Sequence, residues 1–264
     1  MSVPSLFVSD VSIAFGGLKA VSEFRLTLPE GALYGLIGPN GAGKTTLFNL
    51  LTGVYRPDQG RIELGGRSLL GLAPHKIAAS GLARTFQNIR LFGDLTVLDN
   101  VRIACHQRTR TTLLDALLRS PRWRGEEMAL TELAFELLSL FGLADRALEQ
   151  ARNLPYGDQR RLEIARALAL APKVLLLDEP AAGMNPQEKQ ALRALVRRVR
   201  EEFKLSVLLI EHDMGLVMDI CERITVLDHG VVISEGTPDE VQRDPKVIEA
   251  YLGTGGTEAA AGGH

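Results

Sequence analysis

Eight consecutive residues, Gly38-Pro-Asn-Gly-Ala-Gly-Lys-Thr45, constrain this chain more than any other stretch. They lie between an apolar run of strand length, Ala32–Ile37, and a segment Lys44–Thr52 in which Leu47, Leu50 and Leu51 share one helical face. Gly53 supplies the helix stop. The spacing G-x-x-x-x-G-K-[ST] at a strand–helix junction has a physical reason. Glycines let the backbone wrap an anion, so the loop of Gly38, Pro39, Asn40, Gly41, Ala42 and Gly43 cradles it at a helix N-terminus, with every N–H but the one Pro39 lacks free to form a nest. Lys44 then reaches the β- and γ-phosphates of a nucleoside triphosphate, the Thr45 hydroxyl is placed to ligate Mg2+, and Thr46 joins the phosphate contacts. On residue frequencies a chance match in a chain of this length is about 1%, so the motif is read as a triphosphate site.

A second element supports that reading. Val174-Leu-Leu-Leu-Asp-Glu-Pro180 is a buried strand ending in two adjacent acids. Asp178 is placed to hold the Mg2+ through water, and Glu179, one residue on, to polarise an attacking water. Further strands are expected at Val207–Ile210 and Ile224–Leu227, separated by stretches long enough for crossover helices. One such helix is marked by Asn185 as cap, Pro186 at its first position, and Leu192, Leu195, Val196, Val199 and Phe203 at helical spacing. Strand–helix alternation implies an α/β fold with a mostly parallel sheet. Alternating residues at Leu6–Ile13 and Phe24–Leu28 add an antiparallel β flank. Thr237-Pro-Asp-Glu240 is a capping box that opens a last short helix.

The middle of the chain reads differently. From Asn88 to Arg152 no strand pattern stands out, whereas Leu130, Leu133, Ala134, Leu137, Leu138 and Phe141 mark an amphipathic helix closed by Gly142. A helical subdomain at 88–152 is therefore expected, inserted into a nucleotide-binding core of 1–87 and 153–252. Within it Arg108–Gly125, with Arg119, Arg122 and Arg124 beside Trp123, reads as an exposed basic loop. From Gly253 onward too little apolar surface remains to fold, and a flexible tail is expected at 253–264.

Composition narrows the class. Lys+Arg number 30 against 32 Asp+Glu, a formal charge of −2, which argues against an electrostatically driven nucleic-acid binder. At 45% apolar the chain can bury a sizeable core. Cys105 and Cys221 are too few for a disulfide framework and are expected to be buried in a reducing compartment. No apolar run is long enough to span a bilayer, and the first positive residue is Lys19, so neither a membrane span nor a secretory leader is expected.

With these motifs in order, the chain resembles the nucleotide-binding subunits of ATP-binding-cassette transporters from Phe7 to Leu252. The resemblance implies an ATPase using ATP and Mg2+, and it assigns further residues. Phe15 matches the aromatic on which adenine stacks. Gln87 in Arg-Thr-Phe-Gln-Asn looks like the glutamine that contacts Mg2+ and water, and His212 matches the switch histidine at the γ-phosphate. Leu154-Pro-Tyr-Gly-Asp-Gln-Arg160 looks like the family signature, which makes Pro155, Tyr156, Gly157, Asp158 and Gln159 contacts to ATP held by an opposite subunit. Ala181-Ala-Gly-Met-Asn-Pro186 resembles the loop that follows the two acids. Two departures are evident: Pro155 and Tyr156 stand where the general signature has serine and glycine, and Asn185 stands where many cassettes have aspartate.

Within the family the chain is most similar to the larger ATPase subunit of branched-chain amino-acid uptake systems. The similarity rests on Phe15-Gly-Gly-Leu-Lys-Ala-Val21, Arg84–Phe92, Tyr156–Arg166, Gly236-Thr-Pro-Asp-Glu-Val and Val247–Gly253. It implies an ATPase homodimer or heterodimer, two transmembrane permease subunits, an indirect link to an extracytoplasmic solute-binding protein, and a peripheral place at the cytoplasmic face of the inner membrane. Related members serve urea or amides. A non-transport cassette ATPase and a P-loop kinase are the competing readings; a kinase has no use for the signature helix or the switch histidine.

Overall fold

The computed structural model describes residues 3–252 apart from Arg110 and Arg119. In chain order it contains β1 (Leu6–Phe15), β2 (Leu18–Leu28), β3 (Leu33–Ile37), α1 (Lys44–Leu51), β4 (Gln59–Leu64), β5 (Arg67–Ser68), α2 (Pro74–Ala79) and β6 (Leu82–Arg84). Next come α3 (Val97–Cys105), α4 (Leu113–Leu117), α5 (Pro121–Leu140) and α6 (Tyr156–Leu168). The chain then runs through β7 (Val174–Asp178), α7 (Pro186–Phe203), β8 (Ser206–Ile210), α8 (Met214–Ile220), β9 (Arg223–Asp228), β10 (Val231–Gly236), α9 (Pro238–Arg243) and α10 (Pro245–Leu252).

Residues up to Arg84, together with those from Lys173 on, form one compact unit. It holds two sheets, a four-stranded one in the order β2-β1-β4-β5 and a six-stranded one in the order β10-β9-β3-β8-β7-β6. The first is antiparallel. In the second every pairing is parallel except that of the edge strand β10. This is the α/β class expected, a mostly parallel ATPase-type sheet with an antiparallel flank. All five residues of β7 and of β8 are buried, as strands covered on both faces must be. Register aligns their ends: Leu36 pairs with Ile210, and Asp178 pairs with Ile210 from the other side. The residues that follow β3, β7 and β8 therefore leave the sheet at one edge, where ligands of open parallel sheets bind. Leu47, Phe48 and Leu51 of α1 are buried in a core that also takes Phe24, Leu26 and Leu28 from the flank.

Thr85–Pro172 form the second unit. Here α3 packs on α5 and α6, and α5 buries Leu130, Ala134, Leu137 and Leu138, the stripe read from the sequence. In the structure this unit runs to Pro172, twenty residues beyond the end expected at residue 152, because α6 packs on α3 and α5 and groups with it. One expectation is corrected. The basic segment is not one loop: α4 lies within it, and α5 already begins at Pro121, where the Ser120 hydroxyl accepts from the Trp123 N–H. Ser-Pro is a start signal that the charge pattern had masked. Arg122 and Arg124 are exposed on that first turn, and Arg119 lies outside the described residues.

At the other end of the chain, α9 has the capping box expected at Thr237 and Glu240, but it is not the last helix, since Asp244-Pro245 opens α10. The segment from Gly253 lies outside the described residues. Both cysteines are buried, and burial pushes the Cys221 thiol up. Among the described residues no helix is long and apolar enough to cross a membrane.

Candidate active site

The phosphate-type loop leaves β3 through Gly38, whose φ of 153° is open to glycine; a Cβ there would meet the Leu227 carbonyl oxygen at 2.0 Å. The loop is tied down by backbone bonds that the sequence does not advertise. Gly230 N–H donates to the Ala42 carbonyl at 2.9 Å, and the Gly230 carbonyl accepts from Ser22 N–H at 2.8 Å, so the turn between β9 and β10 links the loop to β2. Lys44 opens α1 and is only 8% exposed. Its Nζ donates to the carbonyls of Gly38 at 2.6 Å and Pro39 at 2.9 Å. Burial lowers its pKa, while the charges of Glu179 and Asp178 work the other way. Asn40, Gly41 and Thr45 are exposed, and Thr46 is half-buried.

Asp178 ends β7 and is buried; its Oδ2 accepts from Arg84 at 2.7 Å. Glu179 follows with φ 46°, a left-handed conformation costing about 1 kcal/mol in a non-glycine residue. Its N–H donates to the Ile210 carbonyl at 2.9 Å, so the chain turns sharply at the strand end and presents the side chain there. His212 Nδ1 lies 3.7 Å from Glu179 Oε2. Beneath the histidine sits Glu211, fully buried, a residue that sequence reasoning missed. Its carboxylate accepts from the N–H groups of Ala181 at 2.7 Å, His212 at 3.2 Å and Asp213 at 3.4 Å. Burial nevertheless raises its pKa. The available signal was an acid at the exact end of a buried strand, where an unpartnered carboxylate would be costly. Asp213 caps α8 and pairs with Lys189 at 2.6 Å, a partner that keeps its carboxyl below the usual range.

Phe15, at the tip of β1, is 45% exposed and meets Tyr55 edge-on at 5.2 Å between ring centres. Tyr55 also went unremarked in the sequence. The first unit thus brings Lys44 into the field of Asp178 and Glu179, and Glu179 beside His212.

Gln87 and the signature residues belong to the second unit. The Gln87 side chain is exposed, but its backbone is gripped: Arg160 donates to the carbonyls of Phe86, at 2.6 Å, and of Gln87. Arg160 pairs with Glu163 at 3.1 Å, both 2% exposed, and Glu163 accepts from Phe86 N–H at 3.1 Å. Burial raises the Glu163 pKa against these donors. Pro155 is the exposed N-cap of α6, without a side-chain cap bond. Tyr156 is exposed and stacks against the Arg160 guanidinium. Gly157 is buried, Asp158 is turned inward onto Arg161 and Arg146, and the Gln159 amide donates back to the Leu154 carbonyl at 2.8 Å. The five signature residues thus do not share one role in this unit: Pro155 and Tyr156 face solvent, while Asp158 is committed to its own helix and neighbours.

Known proteins resemble the chain over nearly all of its length. The family model "ABC transporter" matches residues 21–182, and "Branched-chain amino acid ATP-binding cassette transporter" matches 231–257. The high-affinity branched-chain amino acid transport ATP-binding protein LivG of Salmonella typhimurium is 48% identical over 253 residues, 96% of this chain and 99% of the relative. BraF of Pseudomonas aeruginosa, described in the same words, is 47% identical over the same shares. The lipopolysaccharide export system ATP-binding protein LptB of Haemophilus influenzae is 34% identical over 94% of this chain and 97% of its own. Among solved structures, the ADP conformation of MJ1267, an ATP-binding cassette of an ABC transporter, superposes with a TM-score of 0.83 at 29% identity, covering 96% of this chain and all of that one. This chain belongs to the ATP-binding-cassette transporter family, as an ATP-binding, ATP-hydrolysing subunit.

Proposed function

We propose that this subunit drives an importer for branched-chain or related amino acids. The carrying observation for the solute is the 48% identity to a branched-chain amino acid transport ATP-binding protein; for the ATPase it is the edge where β3, β7 and β8 end in register, with buried Lys44 in the field of Asp178 and Glu179. The residues fit a magnesium–triphosphate. The loop leaves no room for a Cβ at Gly38, and Lys44 already holds its ammonium on two carbonyls of the loop that would cradle phosphate. An exposed threonine and one carboxylate suit an ion that keeps water and phosphate oxygens among its ligands.

In this reading Lys44 and the N–H groups of residues 38–46, Pro39 excepted, bind the phosphates. Thr45 and Asp178 would hold Mg2+, which when bound neutralises charge developing on the phosphoryl oxygens; for Gln87 a magnesium role is what the family resemblance implies. Glu179 orients and deprotonates the attacking water, and His212, steadied from below by Glu211, contacts the γ-phosphate. Phe15, backed by Tyr55, is the adenine platform. The head of α6 acts on ATP held by a second ATPase subunit, identical or different, so that ATP closes the pair and hydrolysis releases it.

Two transmembrane permease subunits hold this pair at the cytoplasmic face of the inner membrane, and a solute-binding protein delivers cargo to them. Solute choice belongs to those partners. A relative 34% identical over nearly full length is named for lipopolysaccharide, so this architecture serves unlike cargoes. The test is ATPase activity of the complex with its permease subunits in proteoliposomes. Leucine-loaded binding protein should stimulate it severalfold. Stimulation by urea or a short amide alone would refute the solute, and equal activity without any membrane partner would refute the importer.

A further inference from the structure

Arg84 closes β6, and none of the roles above uses it. Its side chain is 6% exposed, lodged between the acid strand and the phosphate-loop helix. One terminal nitrogen donates to Asp178 Oδ2 at 2.7 Å, the other to Asn49 Oδ1 on α1 at 2.7 Å, and the guanidinium lies 5.3 Å from the centre of the Phe48 ring. The planar fork is what allows one side chain to hold both elements at once; a lysine ammonium has no such reach.

We propose that Arg84 is the positioning residue of Asp178: it fixes the carboxylate against α1 and damps its charge, so that a triphosphate can settle at the acid strand without the metal. The proposal rests on the reading of Asp178 as the magnesium-facing acid. Its consequence has a definite sign. A triphosphate arriving alone meets Asp178 already neutralised by Arg84. Magnesium, arriving with it, must share Asp178 with a guanidinium. Loss of the Arg84 charge therefore weakens metal-free nucleotide binding and enlarges the contribution of Mg2+. A residue that only filled space would, when changed, weaken binding alike with and without metal.

The experiment titrates a fluorescent ATP analogue into the full chain, once in EDTA and once in excess Mg2+, with thermal melts alongside. The quantity read is the ratio of the metal-free Kd to the Mg2+ Kd. In Arg84→Gln the ratio should rise about tenfold, the effect of one uncompensated neighbouring charge. In Arg84→Lys, which keeps the charge but reaches only one of its two partners, it should rise about threefold. In Asp178→Asn it should collapse toward one. A folded Arg84 variant whose two Kd values rise by the same factor overturns the proposal, and if Arg84→Gln does not melt cooperatively the lysine variant decides. Should Asp178→Asn keep the wild-type ratio, the magnesium assignment of Asp178 is what has failed, and the proposal falls with it.

Discussion

At the carboxyl edge of the six-stranded sheet and at the head of α6, buried charges are put to opposite uses. On the sheet edge, Lys44 rests on loop carbonyls and Asp178 on Arg84, so these two charges are partnered within the site itself. In α6 the buried pair Arg160–Glu163 lies inside the helix and grips the backbone of Phe86 and Gln87, while the exposed tip carries Pro155, which has no donor at all. The contrast teaches that chemistry is concentrated at the edge, whereas the helix devotes its charge to holding a loop in place. Substitutions at the edge should damage turnover or affinity. Substitutions inside α6 should damage folding, and those at its tip should act only on association.

The largest effect tests the edge. Glu179→Gln should lower the turnover of the assembled transporter by about 10²–10⁴-fold, the usual contribution of a general base, with nucleotide affinity unchanged. Phosphate release and a nucleotide titration read the two quantities separately. A variant retaining more than a third of wild-type turnover would remove Glu179 from that role.

Next comes the interior of α6. Arg160→Met leaves Glu163 buried without its cation, and breaking such a pair costs about 3–5 kcal/mol. Urea unfolding should show that loss, and Arg160→Met/Glu163→Leu should recover part of it, since apolar replacement of both partners removes the unmatched charge. A loss below about 1 kcal/mol in the single variant would mean that the pair is not what holds the loop.

These two regions were unequally legible. The edge could be read because its residues are contiguous in sequence and each motif carries its own reason: Gly38–Thr45 for wrapping an anion, Asp178-Glu179 for ending a buried strand in acids. Its supports could not. Gly230 and Arg84 act through contacts made from far along the chain, and nothing local marks them; Glu211 acts through backbone N–H groups, and its one local mark is an acid following a buried strand. In α6 the signature was seen but not its depth. Asp158 reads like a polar contact, and only the fold turns it toward Arg161 and Arg146. The strands that went unread, β4, β5, β6 and β10, are short or carry few inward residues, and long-range pairing rather than pattern defines them.

Lys44→Ala sharpens the comparison at the level of affinity. Hydrogen bonds to a charged group are worth about 1.5–3 kcal/mol each, so loss of the ammonium should weaken ATP binding about a hundredfold. The fold should persist, because the loop is also held by Gly230 and the conformation of Gly38. A fluorescent nucleotide titration beside a thermal melt checks both halves. Undiminished affinity would place the phosphate cradle elsewhere.

The smallest effect belongs to the tip of α6, where Pro155 caps the helix with φ −54° and its carbonyl accepts from the N–H groups of Asp158 and Gln159. A serine at this cap would satisfy one more N–H of the first turn, worth about 1 kcal/mol. It would also free a backbone angle that proline fixes, at a cost of about 0.4–1 kcal/mol. The two nearly cancel, so Pro155→Ser should leave the Tm of the isolated subunit almost unmoved. Association is another matter. The serine would offer a hydroxyl to ATP on the opposite subunit, a charged hydrogen bond worth about 1.5–3 kcal/mol. In a Glu179→Gln background, where ATP is not consumed, the variant should therefore dimerise at least about tenfold more tightly in Mg-ATP. Sedimentation measures the dimer fraction, and the unchanged Tm keeps a folding effect from imitating the gain. A parent that already dimerises tightly, or a serine variant no better than its parent, would show that the exposed tip of α6 needs no donor, and that Tyr156 or the helix backbone makes the contact alone.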